Sequence, residues 1–265
     1  MKVSVLIVVY NESISSISCI DTVASSSLVS QIIVCDNSTT PNTNTALARD
    51  FGIDYISMGG NAGLSRAYNA GVQSCTGDVL CLLDDDSLIC DGYFEELESR
   101  WSNAGEWDVL LPLVTSGDEI LSPSQFDGFR THAFRSREAI AVSPRLTGIN
   151  SGMAVKKKVF EKVSYDESLF LDLIDHQFLL DVRRAGFKVN FDNKMRIEQT
   201  FSFSTDDSNS ALSRLGLYSH DARVFYSRTI PQRFYCELML LGRRMKQCAR
   251  YGDMRFLSSQ IGEEG

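Results

Sequence analysis

The stretch that decides the fold is Val79-Leu80-Cys81-Leu82-Leu83-Asp84-Asp85-Asp86-Ser87. Its apolar part has the length of a strand and lacks helical alternation, which is typical of a strand buried on both faces. The run ends in three carboxylates that repel one another and contribute nothing to a core. A divalent cation would offset this repulsion, because Mg²⁺ and Mn²⁺ prefer hard oxygen ligands. The alternative is a solvated acidic turn after the strand.

Helical segments separate three further strands that are predicted before this stretch, at Val3–Val9, Gln31–Cys35 and Ile53–Ile56. This alternation predicts an α/β fold with a parallel sheet that is covered on both faces. Polar residues follow the first two of these strands, at Tyr10-Asn11-Glu12 and Asp36-Asn37. Ligands bind at the carboxyl ends of such strands, so we expect these residues to converge with the three carboxylates on one rim.

The chain after residue 87 has a less regular pattern. Helices are predicted at 91–101, 173–185 and 212–250, the last interrupted at Pro231. Strands are predicted at 107–112, 187–191 and 195–198, and a small-residue loop at 148–152 enters another. Residues 115–145 are polar and contain several turn residues, so we predict an insertion loop there that acts as a lid.

The composition limits the classes of function. The chain has 265 residues and a net charge of −8, which argues against a general nucleic-acid binder. Its seven cysteines form no CxxC pair, so we expect reduced thiols in the cytosol. No apolar segment approaches the ~20 residues that span a bilayer. A cytoplasmic protein is predicted, either free or held peripherally at the inner membrane face.

Two segments are candidates for binding a nucleotide. Asp36 ends a strand, where a carboxylate can accept from a base N–H or a ribose hydroxyl; an Asx-turn or helix cap is the alternative. The segment Asn61-x-Gly63-x-x-Arg66-Ala67-x-Asn69-x-Gly71 opens a helix, where backbone amides and an arginine form an anion site. A tight turn whose small residues allow helix–sheet packing is the alternative there.

Two further segments are candidates for other roles. Asp172 and Asp175 lie three residues apart at a helix start, where either can also serve as a cap. His176 follows them and is expected near the solvent rather than as a metal ligand. Residues 233–255 form a basic amphipathic helix, which predicts either contact with an anionic membrane surface or packing on the domain.

Taken together, these motifs resemble family 2 glycosyltransferases. They follow that family's order: Val9-Tyr10-Asn11-Glu12, Asp36-Asn37-Ser38, the loop from Asn61 to Gly71, Leu83-Asp84-Asp85-Asp86-Ser87, Asn150-Ser151-Gly152 and Phe170-Leu171-Asp172-Leu173-Ile174-Asp175. The resemblance covers residues 3–230, and its detail is most similar to bacterial rhamnosyltransferases. It implies an inverting enzyme with the GT-A fold, which has a Rossmann-like mixed sheet with helices on both faces. The implied domains are a catalytic domain over 1–230, with a nucleotide-binding half (1–86) and an acceptor half (87–230), and a helical extension over 231–265.

The resemblance also implies roles for single residues. Those expected to contact the nucleotide donor are Tyr10, Asn11, Glu12, Asp36, Asn61, Arg66, Asn69, Asp84 and Asp85. Asp84 and Asp86 match the DXD pair, with Asp86 as the direct ligand of Mn²⁺ or Mg²⁺. Asp175 matches the catalytic base, and the residues expected on the acceptor side are Asp172, His176, Ser151 and Gly152.

One departure from the family concerns the metal. Relatives commonly carry a histidine after the late strand, whereas this chain has Ile197-Glu198-Gln199-Thr200-Phe201. Either Glu198 or Gln199 supplies an oxygen ligand instead, or His220 folds back, or the metal is bound weakly or not at all.

The predicted function is transfer of a sugar from dTDP-rhamnose or a UDP-sugar to a saccharide or lipid-linked acceptor in bacterial surface polysaccharide synthesis. A nucleic-acid partner is not expected. Two alternatives stay open at this stage. One is a phosphohydrolase of the haloacid dehalogenase type, because a strand ending in Asp84-x-Asp86 matches its nucleophile motif superficially. The other is a non-catalytic subunit that binds a nucleotide sugar.

Overall fold

The computed structural model describes residues 1–102, 107–134, 136–141, 143, 145–199 and 207–257. Its strands are β1 (Val3–Val9), β2 (Val29–Asp36), β3 (Asp54–Ser57), β4 (Val79–Asp84), β5 (Ser87–Ile89), β6 (Val109–Ser116), β7 (Glu119–Ser122), β8 (Ser124–Phe126), β9 (Thr131–Ala133), β10 (Leu146–Thr147), β11 (Met153–Lys156) and β12 (Val189–Gln199). Its helices are α1 (Ile20–Ser25), α2 (Asn44–Phe51), α3 (Leu64–Ser74), α4 (Tyr93–Ser102), α5 (Arg137–Ala141), α6 (Ile174–Arg184), α7 (Ser208–Phe225) and α8 (Ile230–Tyr251).

The central sheet follows the order β3-β2-β1-β4-β11-β6-β12-β5, and β7 also pairs with β6. The strands β1 to β4 are parallel, as the alternation of strands and helices predicts. β11 pairs antiparallel with β4 and β6, so the sheet is mixed and continues beyond the three carboxylates. The α/β fold class with a Rossmann-like mixed sheet is therefore confirmed.

The apolar strands of the sheet are buried on both faces. Every residue of β1 is buried. Leu6 belongs to the apolar layer that contains α3 and α6, and Ile7 to the layer that contains α1 and α4. Burial on both faces explains why the run lacks alternation. At Gly71, α3 lies so close to β1 that a Cβ would collide with Leu6, so a small residue there serves helix–sheet packing.

Residues 115–145 do not form the insertion loop that the sequence predicts. β7 pairs antiparallel with β6, and β10, β8 and β9 form a separate three-stranded antiparallel sheet. These strands have two to four residues. Such short, partly exposed strands lack the apolar alternation by which a strand is recognised. The insertion-loop prediction is wrong, and the segment is a small folded layer that contacts α6 through β10.

The last sheet strand and the C-terminal helices also differ from the expected bounds. The two strands predicted at 187–191 and 195–198 are one strand, β12, whose pairing with β6 shifts register between Asp192 and Arg196. Pro231 lies in the first turn of α8, where a missing backbone N–H costs nothing. Among the residues that the structure describes, no helix combines the length and the apolar content needed to cross a membrane.

Candidate functional site

The polar residues after β1, β2 and β4 meet at one edge of the sheet. The register pairs Val9 with Asp36, and Val8 with Asp84. The predicted convergence of the strand ends is therefore confirmed. We call this edge the nucleotide rim, after the role predicted for it, and define it as residues 10–12, 36–38 and 84–86.

Asp36 is the most strongly held carboxylate of the nucleotide rim. It is only 3% exposed. Its Oδ2 accepts from Asn42 Nδ2 (3.0 Å), Asn44 Nδ2 (2.8 Å) and the Tyr55 hydroxyl (2.9 Å), and its Oδ1 accepts from Ser38 N (2.8 Å). Burial would raise the pKa of Asp36, but these donors outweigh it and hold the pKa below the usual value. The Ser38 contact is the Asx-turn that the sequence left open as an alternative.

Asn11 fixes the loop after β1 to the loop after β2. It has a left-handed backbone (φ 56°), a region in which asparagine is among the better-tolerated residues. Its Oδ1 accepts from the backbone N–H groups of Thr39 (2.9 Å) and Thr40 (3.1 Å). Tyr10 is 49% exposed beside it, and Glu12 is exposed and close enough to Asp85 for their charges to repel. The loop therefore has a defined shape with an open aromatic face.

Asn44 lies outside the nucleotide rim but supports it, and no sequence motif marks it. Its side chain is buried, donates to Asp36 and to the Glu12 carbonyl (2.9 Å), and accepts from Ile14 N (3.0 Å). It thus joins the ends of β1 and β2. The available signal was a pair of asparagines, Asn42 and Asn44, at the start of α2.

Asp84 lies at the centre of a hydrogen-bonded group at the end of β4. Its Oδ2 accepts from the Ser151 hydroxyl and from Gln199 Nε2 (3.2 Å), and its Oδ1 accepts from the Tyr68 hydroxyl (3.5 Å). Burial is the main cause that raises the pKa of Asp84 to about 6, and repulsion by Asp86, Asp85 and Asp175 adds to it. Burial also raises the pKa of Asp85 and of the more exposed Asp86. A nearby cation would relieve this repulsion.

The donor set suits a divalent metal that shares its coordination with a substrate. Within the described ranges, no three His, Cys, Asp or Glu side chains are arranged to hold a metal by themselves. Mg²⁺ and Mn²⁺ are commonly held by one or two carboxylates together with substrate phosphates, and Asp84 and Asp86 supply such a pair.

The residue at the position of the missing histidine reaches the carboxylates. Gln199 donates to Asp84 and to Ser151 Oγ (2.7 Å). The Nε2 of His220 instead lies 3.2 Å from the Ser168 carbonyl. Of the two, Gln199 rather than His220 is therefore the residue that contacts the carboxylates.

Ser151 and Gly152 lead into β11 beside the carboxylates. Ser151 is fully buried. Gly152 has a left-handed backbone (φ 73°), and a Cβ there would come within 2.9 Å of Ile197 Cδ1. Its N–H donates to the Leu82 carbonyl (2.7 Å), and its carbonyl accepts from Tyr93 (2.6 Å). A glycine is therefore needed to bring Ser151 against Asp84.

A second group of residues, the base loop (residues 170–175), is held by α7. Asp221 is fully buried and accepts from three consecutive backbone N–H groups, those of Phe170 (2.8 Å), Leu171 (2.8 Å) and Asp172 (2.7 Å). The Phe170 carbonyl accepts from Leu64 N (2.7 Å). These contacts define the path of the loop into α6. No sequence motif marks Asp221.

Asp175 follows in the first turn of α6. Its Oδ1 accepts from His176 N (2.7 Å). Burial is the main cause that raises the pKa of Tyr68 and Tyr165, whose rings stack with centroids 5.0 Å apart, and the charge of Asp175 adds to it. Asn37 of the nucleotide rim donates to the Gly63 carbonyl (3.2 Å), and the N–H of the next residue, Leu64, donates to the Phe170 carbonyl of the base loop. The nucleotide rim and the base loop therefore meet at the start of α3.

The other predicted acceptor-side residues are engaged with neighbouring elements. Asp172 receives two hydrogen bonds from the Arg214 guanidinium, one of them 2.9 Å long. His176 Nδ1 shares a hydrogen bond with Thr147 Oγ1 (2.6 Å). Both side chains are therefore held by residues outside the nucleotide rim.

Three of the residues predicted to contact the nucleotide donor make no hydrogen bond or ion pair with the carboxylates of the nucleotide rim in the described part of the chain. Asn69 binds the Tyr165 backbone through both ends of its amide (2.9 and 3.0 Å), which joins α3 to the loop before the base loop. Arg66 lies 3.7 Å from Glu167. Asn61 and Arg66 line a cleft that also contains His220.

The mixed sheet, with polar residues at the ends of its parallel strands, fits the GT-A fold. The model of the family "Glycosyl transferase family 2" matches residues 4–164, which is more than half of the chain. The chain therefore belongs to this family, and the resemblance of its motifs is confirmed. The match tests no single residue, so the roles of the site residues stay predictions.

Two curated relatives are similar at low identity. One is the uncharacterized glycosyltransferase YwdF of Bacillus subtilis, 26% identical over 180 residues, which are 67% of this chain and 65% of the relative. The other is the dTDP-rhamnosyl transferase RfbF of Shigella flexneri, 25% identical over 167 residues, which are 60% of this chain and 56% of the relative. The matched segment thus spans less than two thirds of either relative.

Solved structures of S. aureus TarS share the fold. One superposes with a TM-score of 0.54 at 13% identity, covering 100% of this chain and 46% of that one. Another, of TarS in complex with UDP, has a TM-score of 0.52 at 13% identity and covers 98% of this chain and 73% of that one. At this identity the likeness establishes the GT-A fold alone.

Proposed function

We propose that this protein transfers a glycosyl unit from a nucleoside diphosphate sugar to a hydroxyl group of a saccharide acceptor, with inversion at C1. The observation that supports this most is that the nucleotide rim and the base loop are both bonded to the start of α3: Asn37 donates to the Gly63 carbonyl (3.2 Å), and Leu64 N donates to the Phe170 carbonyl (2.7 Å). This supports a donor site and a base loop that lie next to one another. The proposal assigns residues 1–86 to the donor, 87–230 to the acceptor and 231–265 to a helical extension.

The donor is proposed to lie along the nucleotide rim. Asp36 and Asn11 would hold the base and ribose end, with Tyr10, Glu12 and Asp85 beside them. Asn61, Arg66 and Asn69 would lie toward the ribose and diphosphate. The donor is dTDP-rhamnose or a UDP-sugar, and both options are supported by relatives: RfbF is named for the first, and TarS was solved with UDP.

Asp84 and Asp86 would hold Mn²⁺ or Mg²⁺ together with the diphosphate. When bound, such an ion neutralises the charge that the leaving group gains as the glycosidic bond breaks. Gln199 and Ser151 orient Asp84 by hydrogen bonds to its Oδ2.

The chain's own residues supply the proton transfer. Asp175 takes the proton of the acceptor hydroxyl while that oxygen forms a bond to C1 of the donor sugar. The bond between C1 and the diphosphate oxygen breaks, and the nucleoside diphosphate leaves with its electron pair. A single displacement inverts C1, so no second carboxylate nucleophile is needed. Asp172, His176, Ser151 and Gly152 would border the acceptor.

A thermal-shift panel of nucleotide sugars, with and without Mn²⁺, tests the donor assignment. A specific donor stabilises the folded chain by mass action, so one nucleotide sugar should raise the melting temperature in a concentration-dependent way. Asp86→Asn should lose the Mn²⁺-dependent part of that shift, whereas Asp91→Asn, an exposed change outside the rim, should keep it. Absence of a shift with every donor would contradict the proposal.

A non-catalytic nucleotide-sugar binder is the remaining alternative. It predicts binding of the donor without hydrolysis or transfer, so an assay of nucleoside diphosphate release separates the two. The phosphohydrolase alternative has no support from the family match, and release of phosphate from simple esters would be needed to revive it.

The acceptor is proposed to be a saccharide or lipid-linked saccharide of bacterial surface polysaccharide synthesis, with α8 in peripheral contact with an anionic membrane. Exposed apolar side chains form a stripe along α8: Ile230, Phe234, Leu238, Leu241 and Met245. Exposed basic residues flank it, at Arg233, Arg243, Lys246 and Arg250. Co-sedimentation with phosphatidylglycerol vesicles but not phosphatidylcholine vesicles would support this contact. Unchanged binding after Leu238→Gln and Leu241→Gln would contradict it.

A further inference from the structure

A second cleft lies next to the base loop, between α6, the small sheet and the turn into α8. It has a volume of about 360 Å³. We call it the arginine cleft, because four arginines line it: Arg145, Arg183, Arg184 and Arg228. Its apolar lining includes Phe126, Leu146, Leu180 and Phe225. None of these residues belongs to the predicted site.

The arginine cleft carries an excess of positive charge in an acidic chain. Arg184 and Arg228 share one carboxylate oxygen, Asp181 Oδ1, at 2.8 and 3.2 Å. Asp127, the acidic residue in the lining, is paired with His132 at 2.7 Å. Four guanidinium groups thus face two carboxylates that already have partners. Such a concentration of positive charge attracts a multiply charged anion.

Two of the arginines have no carboxylate within ion-pair distance in the described part of the chain. Arg183 is half-buried and donates to two backbone carbonyls, those of Leu146 and Leu179, the latter at 3.4 Å. Burial lowers the pKa of Arg183, since the charged form loses hydration there. Arg145 is exposed at the other wall. A bound anion would compensate both charges.

The cleft is connected to the proposed base. Thr147 lines it and shares a hydrogen bond with His176, whose Nδ1 lies 3.9 Å from Asp175 Oδ1. From His176, a helix rise of 1.5 Å per residue places Arg183 roughly 10 Å further along α6. His176, Leu180 and Arg183 lie four and three residues apart on one face of the helix. An acceptor that extends from Asp175 along this face would reach the arginines one or two sugar units away.

We infer that the arginine cleft binds a phosphate or diphosphate group on the acceptor, close to the sugar that receives the transferred unit. This inference rests on the proposed glycosyltransferase function and names its acceptor class. The guanidinium groups bind the phosphate oxygens in pairs. The apolar floor, where the rings of Phe126 and Phe225 lie 5.6 Å apart, takes the carbon chain esterified to that phosphate.

Calorimetric titration of the whole chain tests this site with three probes: inorganic diphosphate, farnesyl diphosphate and glycerol 3-phosphate. Arg145→Gln and Arg183→Gln should each weaken binding by about tenfold, the loss expected for one charge-assisted hydrogen bond. Arg49→Gln, the same change at an exposed position of α2, should stay within about twofold of the wild type. Arg145→Gln keeps the test valid if Arg183→Gln unfolds, because the exposed Arg145 side chain makes no hydrogen bond or ion pair with the described residues.

The probes separate the two sources of the phosphate. If farnesyl diphosphate binds more tightly than inorganic diphosphate, the acceptor is lipid-linked. If glycerol 3-phosphate binds at least as tightly as farnesyl diphosphate, the acceptor carries a phosphate ester without lipid. Equal binding to the wild type and both cleft variants, or binding of no probe at millimolar concentration, would overturn the inference.

Donor hydrolysis without acceptor distinguishes this inference from the proposed function. It requires the nucleotide rim and not the arginine cleft, so Arg145→Gln should hydrolyse donor at the wild-type rate. A wild-type chain with neither hydrolysis nor transfer would remove the proposed function. The calorimetric comparison would then still decide whether the cleft binds phosphate.

Discussion

The nucleotide rim and the base loop meet at the start of α3, but they are built from contacts of different range. The four donors to Asp36 lie 2, 6, 8 and 19 residues away along the chain. The three backbone N–H groups that donate to Asp221 lie 49, 50 and 51 residues away. Local contacts form together with their own β–α–β unit, whereas the base loop requires α7 in place. The two regions should therefore respond separately to mutation.

The largest expected effect concerns Asp175. Asp175→Asn should lower the rate of transfer by roughly 10³-fold, the typical contribution of a general base. Its affinity for the donor, measured by calorimetry, should change by less than about twofold, because the rim is intact. Asp172→Asn is the matched control in the same loop, and its ion pair with Arg214 predicts a smaller loss. Equal losses in the two variants would refute the assignment of the base.

Metal removal should act on the rim instead. Excess chelator should reduce transfer by roughly 10²-fold, and Mn²⁺ should restore it. Asp86→Asn should raise the Mn²⁺ concentration for half-maximal activity at least roughly tenfold, while Asp91→Asn leaves it unchanged. Full activity in excess chelator would contradict a metal role for Asp84 and Asp86.

Asp221→Asn should weaken the base loop without affecting the rim. Asparagine keeps one acceptor oxygen, but its NH₂ group replaces a carboxylate oxygen that accepts hydrogen bonds from the loop. The free energy of unfolding should therefore fall by about 3 kcal/mol. The turnover number should fall about tenfold with the donor KM unchanged. Asp207→Asn, at the N-cap of α7, should shift stability by less than about 0.5 kcal/mol in urea unfolding. A changed donor KM in Asp221→Asn would contradict the separation of the two regions.

The smallest effect is expected for Asp36→Asn, which should lower the free energy of unfolding by about 2 kcal/mol. This loss should depend on pH. The pKa of Asp36 is lower in the folded chain than its usual 3.8. Its contribution to stability is therefore complete above the unfolded value and is lost as the pH falls below 3.8 through the folded value. In urea unfolding at a series of pH values, the free energy of unfolding of Asp36→Asn should therefore fall less steeply below pH 3.8 than that of the wild type. Asp54→Asn, which removes an exposed carboxylate bonded to Gln31, should keep most of the wild-type decrease at acid pH.

The difference in range also explains what the sequence predicts. β1, β2 and β4 were predicted because each is a continuous apolar run that ends in polar residues. The strands of residues 115–145 are too short and too exposed to show a pattern. Asp221 and the arginine cleft carry no local motif, since their neighbours come from distant segments. Gln199 was considered as a substitute for the missing histidine, but its contact with Asp84 depends on how β12 pairs with β5 and β6.

The carboxylate of Asp221 has a consequence for the chain during its synthesis. The four donors to the Asp36 carboxylate lie between Ser38 and Tyr55, so they are all present soon after the first part of the chain leaves the ribosome. The base loop has no acceptor for its three N–H groups until Asp221 has been added and α7 has folded. Incomplete chains thus contain the donors to Asp36 before the base is held in position. A prematurely terminated product that lacks α7 would lack a positioned base and would leave bound donor unconsumed.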